Sequence, residues 1–318
     1  MEQQTLPESF LEPRLLVIVG STGVGKTQLA AAVARSAQGE VISADSMQVY
    51  RYMDIGTAKP DQEERSRVPH HLIDVVDPDE AFNASAYRQR VQQLLGAPEN
   101  KDRFYLVVGG AGLYIKALLG GLFAGPGADH NLRAYYRDQL ERFGREHLHR
   151  LLAGKDALAA ARIEPHDVSR IIRALEVWDI SGSSIVRKQG EHRFGTRSYR
   201  YLKIGLTMSR ERLYERIDKR VEEMMARGFV EEVKWLLGHG YHGDLKSMQS
   251  LGYRHIVAYL SGRQSLTEAV EKMKRDTRQY AKRQATWFRG DREITWFDAE
   301  DLPAVTKYWE AFQEGDVS

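Results

Sequence analysis

The fold class that the sequence predicts is α/β: a mostly parallel sheet with its helices, interrupted by one inserted helical domain. Three observations point to it. Short, wholly apolar runs at Leu15–Val19 and Phe104–Val108 have the composition of strands buried on both faces. Glycines and then a helix-forming segment follow each run, the strand, turn and helix alternation of a parallel sheet. Residues 129–181 carry only helical patterns, after Gly125-Pro126-Gly127 breaks the chain.

Taken in order, residues 1–13, with two prolines, three glutamates and no periodicity, read as a loose tail. The first strand starts at Arg14. After a glycine-rich turn, alanine-rich Gln28–Gln38 ends at Gly39 as a helix with a C′ glycine does, and Glu40–Ala44 forms the second strand. Helices are expected at about 84–96 and 113–120, on either side of the strand at 104–108. A β-like run returns at Tyr201–Leu206 and is expected to rejoin the first sheet, after which Arg210–Leu237, 249–260 and 265–289 read as helices. The expected domains are a discontinuous core, 14–122 and 195–318, and a helical insertion, 123–194.

Composition excludes several classes. At 42% hydrophobic and 28% charged, the 318-residue chain is a globular protein, not a disordered or fibrous one. The longest strongly apolar run, Leu15–Val19, falls far short of the roughly 20 residues that span a bilayer, so no membrane association is expected. The absence of cysteine removes disulfides, thiolate zinc sites and a thiol nucleophile, and fits a cytoplasmic protein. A monomer is the default expectation. The net charge of +2 hides segregation: residues 187–200 hold five Lys/Arg and one Glu, residues 274–292 hold seven Lys/Arg and two Asp, and the remainder sums to −7. Clustered cations of this kind are either a solvated face or a surface for a polyanion.

Gly20-Ser21-Thr22-Gly23-Val24-Gly25-Lys26-Thr27 fits G-x-x-x-x-G-K-[ST] and stands between a buried strand and a helix, where a P-loop belongs. Its N–H groups and the helix N-terminus cradle a di- or triphosphate, Lys26 adds a charge and Thr27 is a candidate Mg²⁺ ligand. The core is therefore expected to be P-loop NTPase-like. GTPase chemistry does not fit, because Asn100-Lys101-Asp102-Arg103 has its aspartate one position early for N-K-x-D and precedes a strand. An ATPase motor is weakened by the run of Phe104–Val108 into Gly109-Gly110, with no acidic residue at the strand end. In an open parallel sheet the residues just past the strand ends line one crevice, so Asp45, after the second strand, should face the phosphate site. There it can accept a proton or hold Mg²⁺ through water, or simply cap the next turn.

Together with the P-loop, five segments resemble the tRNA dimethylallyltransferases: Asp45-Ser46-Met47-Gln48-Val49-Tyr50, Asp54-Ile55-Gly56-Thr57-Ala58-Lys59-Pro60, His70-His71-Leu72-Ile73-Asp74, Gly109-Gly110-Ala111-Gly112-Leu113-Tyr114 and Arg170-Ile171-Ile172-Arg173-Ala174-Leu175-Glu176. Gly252-Tyr253-Arg254 and Lys282-Arg283-Gln284-Ala285-Thr286-Trp287-Phe288-Arg289 follow in the same order, so the resemblance covers roughly 15–290. It implies transfer of a dimethylallyl group from dimethylallyl diphosphate to the exocyclic N6 amine of the adenine on the 3′ side of the tRNA anticodon, with Mg²⁺. Diphosphate is then the leaving group in the P-loop, and Asp45 the base on a weakly nucleophilic amine.

The same resemblance implies that Ser46, Met47 and Gln48 contact the accepting nucleotide, taken out of the anticodon-loop stack. Arg133 lies near the reaction channel, and Ser169, Arg170, Ile171, Ile172 and Arg173 meet the anticodon stem-loop, as do Gly252, Tyr253 and Arg254. The family usually has threonine where this chain has Ala111, which removes a hydroxyl from the accepting region and costs about 1 kcal/mol of hydrogen bonding. Within 274–289, Arg275, Arg278, Lys282 and Arg289 fall on one helical stripe, suited to phosphate contacts; Arg283 and Gln284 lie off it and read loop nucleotides or pack inward. Neighbouring His70 and His71 point apart in extended chain and are not expected to bind zinc, and Trp178 and Trp287 are expected in the core. The rival readings are a small-molecule kinase, an isopentenyltransferase acting on free adenylate, and a non-enzymatic tRNA-binding protein.

Overall fold

The computed structural model describes residues 14–100, 103–123, 125–192 and 199–314. These fall into two compact units, one of residues up to 119 and from 197 onward, the other of residues 120–196. The tail at 1–13 and residues 193–198 of the basic 187–200 run lie outside the described residues.

The first unit is a six-stranded sheet of order β3-β2-β4-β1-β5-β6, with β1 Arg14–Gly20, β2 Glu40–Ser43, β3 His70–His71, β4 Tyr105–Gly109, β5 Arg200–Thr207 and β6 Ile294–Asp298. All of its described pairings are parallel. Leu15–Val19 are at most 1% exposed, because β1 is flanked by β4 and β5 and covered on both faces. On one face Leu16, Ile18, Leu106, Val108, Leu202 and Ile204 pack against Leu29 and Val33 of α1 (Lys26–Ser36) and against Val305, Trp309 and Phe312 of α13 (Leu302–Glu314). The run at 201–206 joins the sheet beside β1, in register with residues 15–20.

The remaining helices of this unit are α2 (Gln62–Arg67), α3 (Ala84–Gly96), α4 (Gly112–Gly120), α9 (Arg210–Ala226), α10 (Phe229–Gly238), α11 (Tyr253–Leu260) and α12 (Leu266–Arg289). Arg210–Leu237, expected as one helix, is two: Gly228 adopts φ +93°, and its left-handed backbone caps α10. β3, β6, α2 and α13 lie outside the elements that the sequence predicts. The second unit contains α5 (His130–Lys155), broken at Gly144, then α6 (Ala157–Ala160), α7 (Val168–Ser181) and α8 (Ile185–His192) around a core of Tyr136, Leu148, Leu152, Ile171, Leu175 and Ile185. No described helix is long and apolar enough to cross a membrane.

Candidate functional site

The P-loop turns from β1 into α1 through left-handed backbone at Gly23 (φ +82°) and Gly25 (φ +107°), which an L side chain would strain. The loop borders a cavity of about 470 Å³ at the carboxyl ends of the strands, lined by Thr22, Gly23, Gly25, Lys26, Thr27 and, across from them, Asp45 and Gln48. Lys26 Nζ donates to the carbonyls of Gly20 at 2.9 Å and Ser21 at 2.8 Å. Burial pulls its ammonium down to about 7, the charge of Arg220 adds to this, and Asp45 opposes it.

Asp45 does two jobs with two oxygens. Oδ1 accepts from the backbone N–H of Met47 at 2.8 Å and of Gln48 at 3.3 Å, closing the turn after β2. Among the described residues Oδ2 has no hydrogen-bond partner, so one oxygen remains for a proton. The turn-capping role and the base role are thus compatible. Gln48 is braced: its Oε1 accepts from Ser43 Oγ at 2.9 Å, and its Nε2 donates to the carbonyls of Thr57 and Ala58 at 3.4 and 3.3 Å. Those carbonyls belong to a loop gripped by Glu232, whose carboxylate accepts from the N–H groups of Asp54 (2.9 Å), Ile55 (2.7 Å) and Gly56 (3.1 Å) and from the Tyr253 hydroxyl (2.6 Å).

The cavity holds cations that the sequence reading missed. Arg216, Lys219 and Arg220 of α9 line it, with Glu223 as an acidic neighbour. Burial lowers the pKa of Arg220, which the charges of Asp45 and Glu223 partly restore; its guanidinium makes no described hydrogen bond. The signal was available: α9 follows β5, so positions 216, 219, 220 and 223 share one helical face above the same crevice that placed Asp45.

A second chamber, about 440 Å³ and mostly apolar, adjoins the first through Gly110, Tyr280 and Gln284. Ser46, Met47, Tyr50, Phe82, Ala111, Tyr114, Arg283 and Trp287 line it. Trp287, expected in the core, is 45% exposed here, and its indole Nε1 lies where any side chain at position 112 would stand. Burial raises the Tyr280 hydroxyl to about 12, and Asp45 adds to the rise.

Several expected RNA contacts are turned inward. Gln284 is 7% exposed, takes the Thr22 N–H on Oε1 at 2.8 Å and gives Nε2 to the Gly110 carbonyl at 3.0 Å, so it is a strut between the P-loop and the turn after β4. Gly252 and Tyr253 are buried: Gly252 adopts φ +91° beside Phe229, and the Tyr253 hydroxyl serves Glu232. Arg254 is paired with Asp276 at 2.6 Å and Arg278 with Asp218 at 2.7 Å, which neutralises both. Lys282 and Arg283 are exposed and make no described ion pair. His70 meets the Val68 carbonyl and His71 meets Glu40.

Within the insertion, Ile171 and Ile172 belong to the apolar core, at 0% and 8% exposure, and cannot touch RNA directly. Glu176 is fully buried and accepts from Arg133 Nε at 2.7 Å and Nη2 at 2.9 Å, from Arg173, and from the Asp129 N–H at 2.8 Å. Burial alone would raise its carboxyl; the two arginines overcome that and hold it below the usual range. Arg173 also donates to the carbonyls of Pro126 and Gly127. Ser169 and Arg170 are exposed, and Trp178 is half-buried.

The described residues contain no cluster of three or more His, Asp or Glu side chains able to hold a metal. The Thr27 hydroxyl is exposed on the cavity wall without a described partner. That donor set fits Mg²⁺ carried in on phosphate oxygens, which needs few protein ligands.

Residues 48–291 match the family model described as IPP transferase. The chain is 53% identical over 308 residues to tRNA dimethylallyltransferase 2 of Syntrophus aciditrophicus (strain SB), covering 97% of this chain and 99% of that one. It is 51% identical over 285 residues to the tRNA dimethylallyltransferase of Geobacter metallireducens, covering 90% and 92%. Among solved structures, the full-length tRNA isopentenylpyrophosphate transferase of Bacillus halodurans is 40% identical, with a TM-score of 0.69 over 95% of this chain and 96% of that one. A eukaryotic dimethylallyltransferase, described as acting on tRNA, is 30% identical with a TM-score of 0.76 over 91% and 75%.

Proposed function

The chain belongs to the IPP transferase family, and from that premise we propose that it prenylates tRNA, moving a dimethylallyl group from dimethylallyl diphosphate to the N6 amine of the adenine 3′ of the anticodon. The observation that carries this reading is the shared cavity: the P-loop and the Asp45 carboxylate face each other across it, and an apolar chamber adjoins them. A kinase needs the P-loop for a nucleotide; here the same cradle suits a diphosphate that leaves.

As the allylic carbon–oxygen bond breaks, charge grows on the diphosphate, where the P-loop N–H groups, Lys26, Arg216 and Arg220 converge. The adenine nitrogen bonds to the freed carbon, and its proton passes to Asp45 Oδ2. Mg²⁺ on the diphosphate, with Thr27 as its protein ligand, would neutralise further charge. The apolar chamber, with Tyr50, Tyr114 and Trp287, suits an unstacked base. Lys282 and Arg283 supply phosphate contacts, and Arg133, whose Nη1 makes no described bond, keeps a binding part with Ser169 and Arg170.

The test uses an anticodon stem-loop with dimethylallyl diphosphate and Mg²⁺, digested to nucleosides after reaction. N6-dimethylallyladenosine should appear, and replacing the accepting adenine by hypoxanthine, which lacks the amine, should abolish it. Prenylation that persists on the hypoxanthine loop would refute the assignment.

A further inference from the structure

We propose that a cleft on the opposite face of α12 from the apolar chamber is a second nucleotide site, distinct from the diphosphate cavity. The cleft has a volume of about 440 Å³, within the range of small-ligand pockets. Its interior is apolar, from Val24, Leu206, Leu213 and Ala281, and it has two aromatic walls, Tyr214 and Trp296. Around it stand Arg210, Lys282 and Arg289.

The counter-charges are unevenly placed along α12. Lys274 is paired with Glu222 and Glu271, Arg275 meets Asp276 and Arg278 meets Asp218, whereas Lys282, Arg283 and Arg289 meet no described carboxylate, and of these Lys282 and Arg289 border this cleft. Arg210, Lys282 and Arg289 have no carboxylate partner among the described residues; Arg210 only overlies the Tyr214 ring, at 5.2 Å. Uncompensated cations around an apolar pocket repel one another, and an anion relieves that repulsion. A flat ring against the Trp296 side of the apolar interior, with a phosphate at the rim, meets both demands, which is the chemistry of a nucleoside monophosphate unit. The unit has two possible sources, a free nucleotide or one nucleotide of a bound RNA. The assignment is independent of the chemistry given to Asp45, although the cleft shares Ser21 and Val24 with the P-loop, and Ser21 Oγ donates to the Ala281 carbonyl at 2.9 Å.

Photolabelling of the intact protein with 8-azido-AMP, followed by peptide mapping, reads the site directly. Label is expected on peptides bearing Tyr214 or Trp296, which border this cleft and neither of the other two cavities, with protection by AMP. Ala285→Trp, which fills the cleft, and Arg210→Glu, a surface change, should each weaken labelling about tenfold, with circular dichroism unchanged. Label absent from these peptides, or unaffected by either variant, would overturn the proposal, as would displacement by dimethylallyl diphosphate alone. Competition by an anticodon stem-loop assigns the cleft to an RNA nucleotide; labelling that persists under saturating stem-loop assigns it to a free one.

Discussion

Replacing Asp45 by asparagine separates its two oxygens. Asparagine keeps a carbonyl oxygen where Oδ1 accepts from the Met47 and Gln48 N–H groups, so the turn after β2 should survive and stability change by less than about 1 kcal/mol. The second oxygen becomes an amide nitrogen, unable to take the proton of the attacking amine, and general-base loss costs about a hundredfold to ten-thousandfold in turnover. The cavity also loses an anion facing Lys26 and Arg220, so diphosphate affinity should hold or rise. Removing Asp45 takes away the influence that raises Lys26, so parent and variant are compared across a pH series and not at a single pH. Single-turnover transfer to a stem-loop gives the chemical rate, and equilibrium dialysis gives donor and RNA affinity. A turnover that stays within about threefold of the parent would refute the role of Asp45 as base.

Three further outcomes follow from the same geometry. With the free Lys26 near 7, diphosphate affinity should be full below that pH and fall by up to about tenfold per unit above it, since binding must then take up a proton; Lys26→Arg should flatten the profile in calorimetric titrations. Glu232→Ala strands two partly buried N–H groups and the Tyr253 hydroxyl, a loss of roughly 3 kcal/mol and roughly 6–12 °C in melting temperature; Glu232→Gln, which keeps one acceptor oxygen, should recover about half, as thermal melts can show. Ala111→Thr adds a hydroxyl at the wall of the apolar chamber and should raise kcat/KM for the stem-loop about fivefold, equivalent to about 1 kcal/mol.

What was legible in the sequence was what local chemistry decides. The buried run of β1, the P-loop and the end of the strand before Asp45 each carry their own signal, and α3 lies at 84–96 as its periodicity requires. β3 escaped notice because two residues on the sheet edge have no period, and β6 because Ile294–Asp298 buries only Ile294 fully and shows neither a continuous apolar run nor a strict alternation. Residue type does not decide where a polar side chain points. Gln284, on the most cationic helix, is open in the sequence to reading RNA or packing inward, and the Thr22 N–H and the Gly110 carbonyl, which need a partner, decide for the second. The helical stripe of Arg275, Arg278, Lys282 and Arg289 is real, but Asp218, some sixty residues away in sequence, decides that Arg278 is spent while Lys282 is free. Such pairings depend on tertiary contacts that no local pattern encodes.

The most direct test of the central claim, that the P-loop holds a leaving group, follows carbon and phosphate together. Dimethylallyl diphosphate labelled in its allyl group is incubated with Mg²⁺ and an anticodon stem-loop, in parallel with AMP as acceptor and with γ-labelled ATP as donor. Label should enter the stem-loop alone, with one diphosphate released for each group transferred and no phosphate moved from ATP. Phosphate transfer from ATP, or allyl label entering AMP in preference to the stem-loop, would contradict the account.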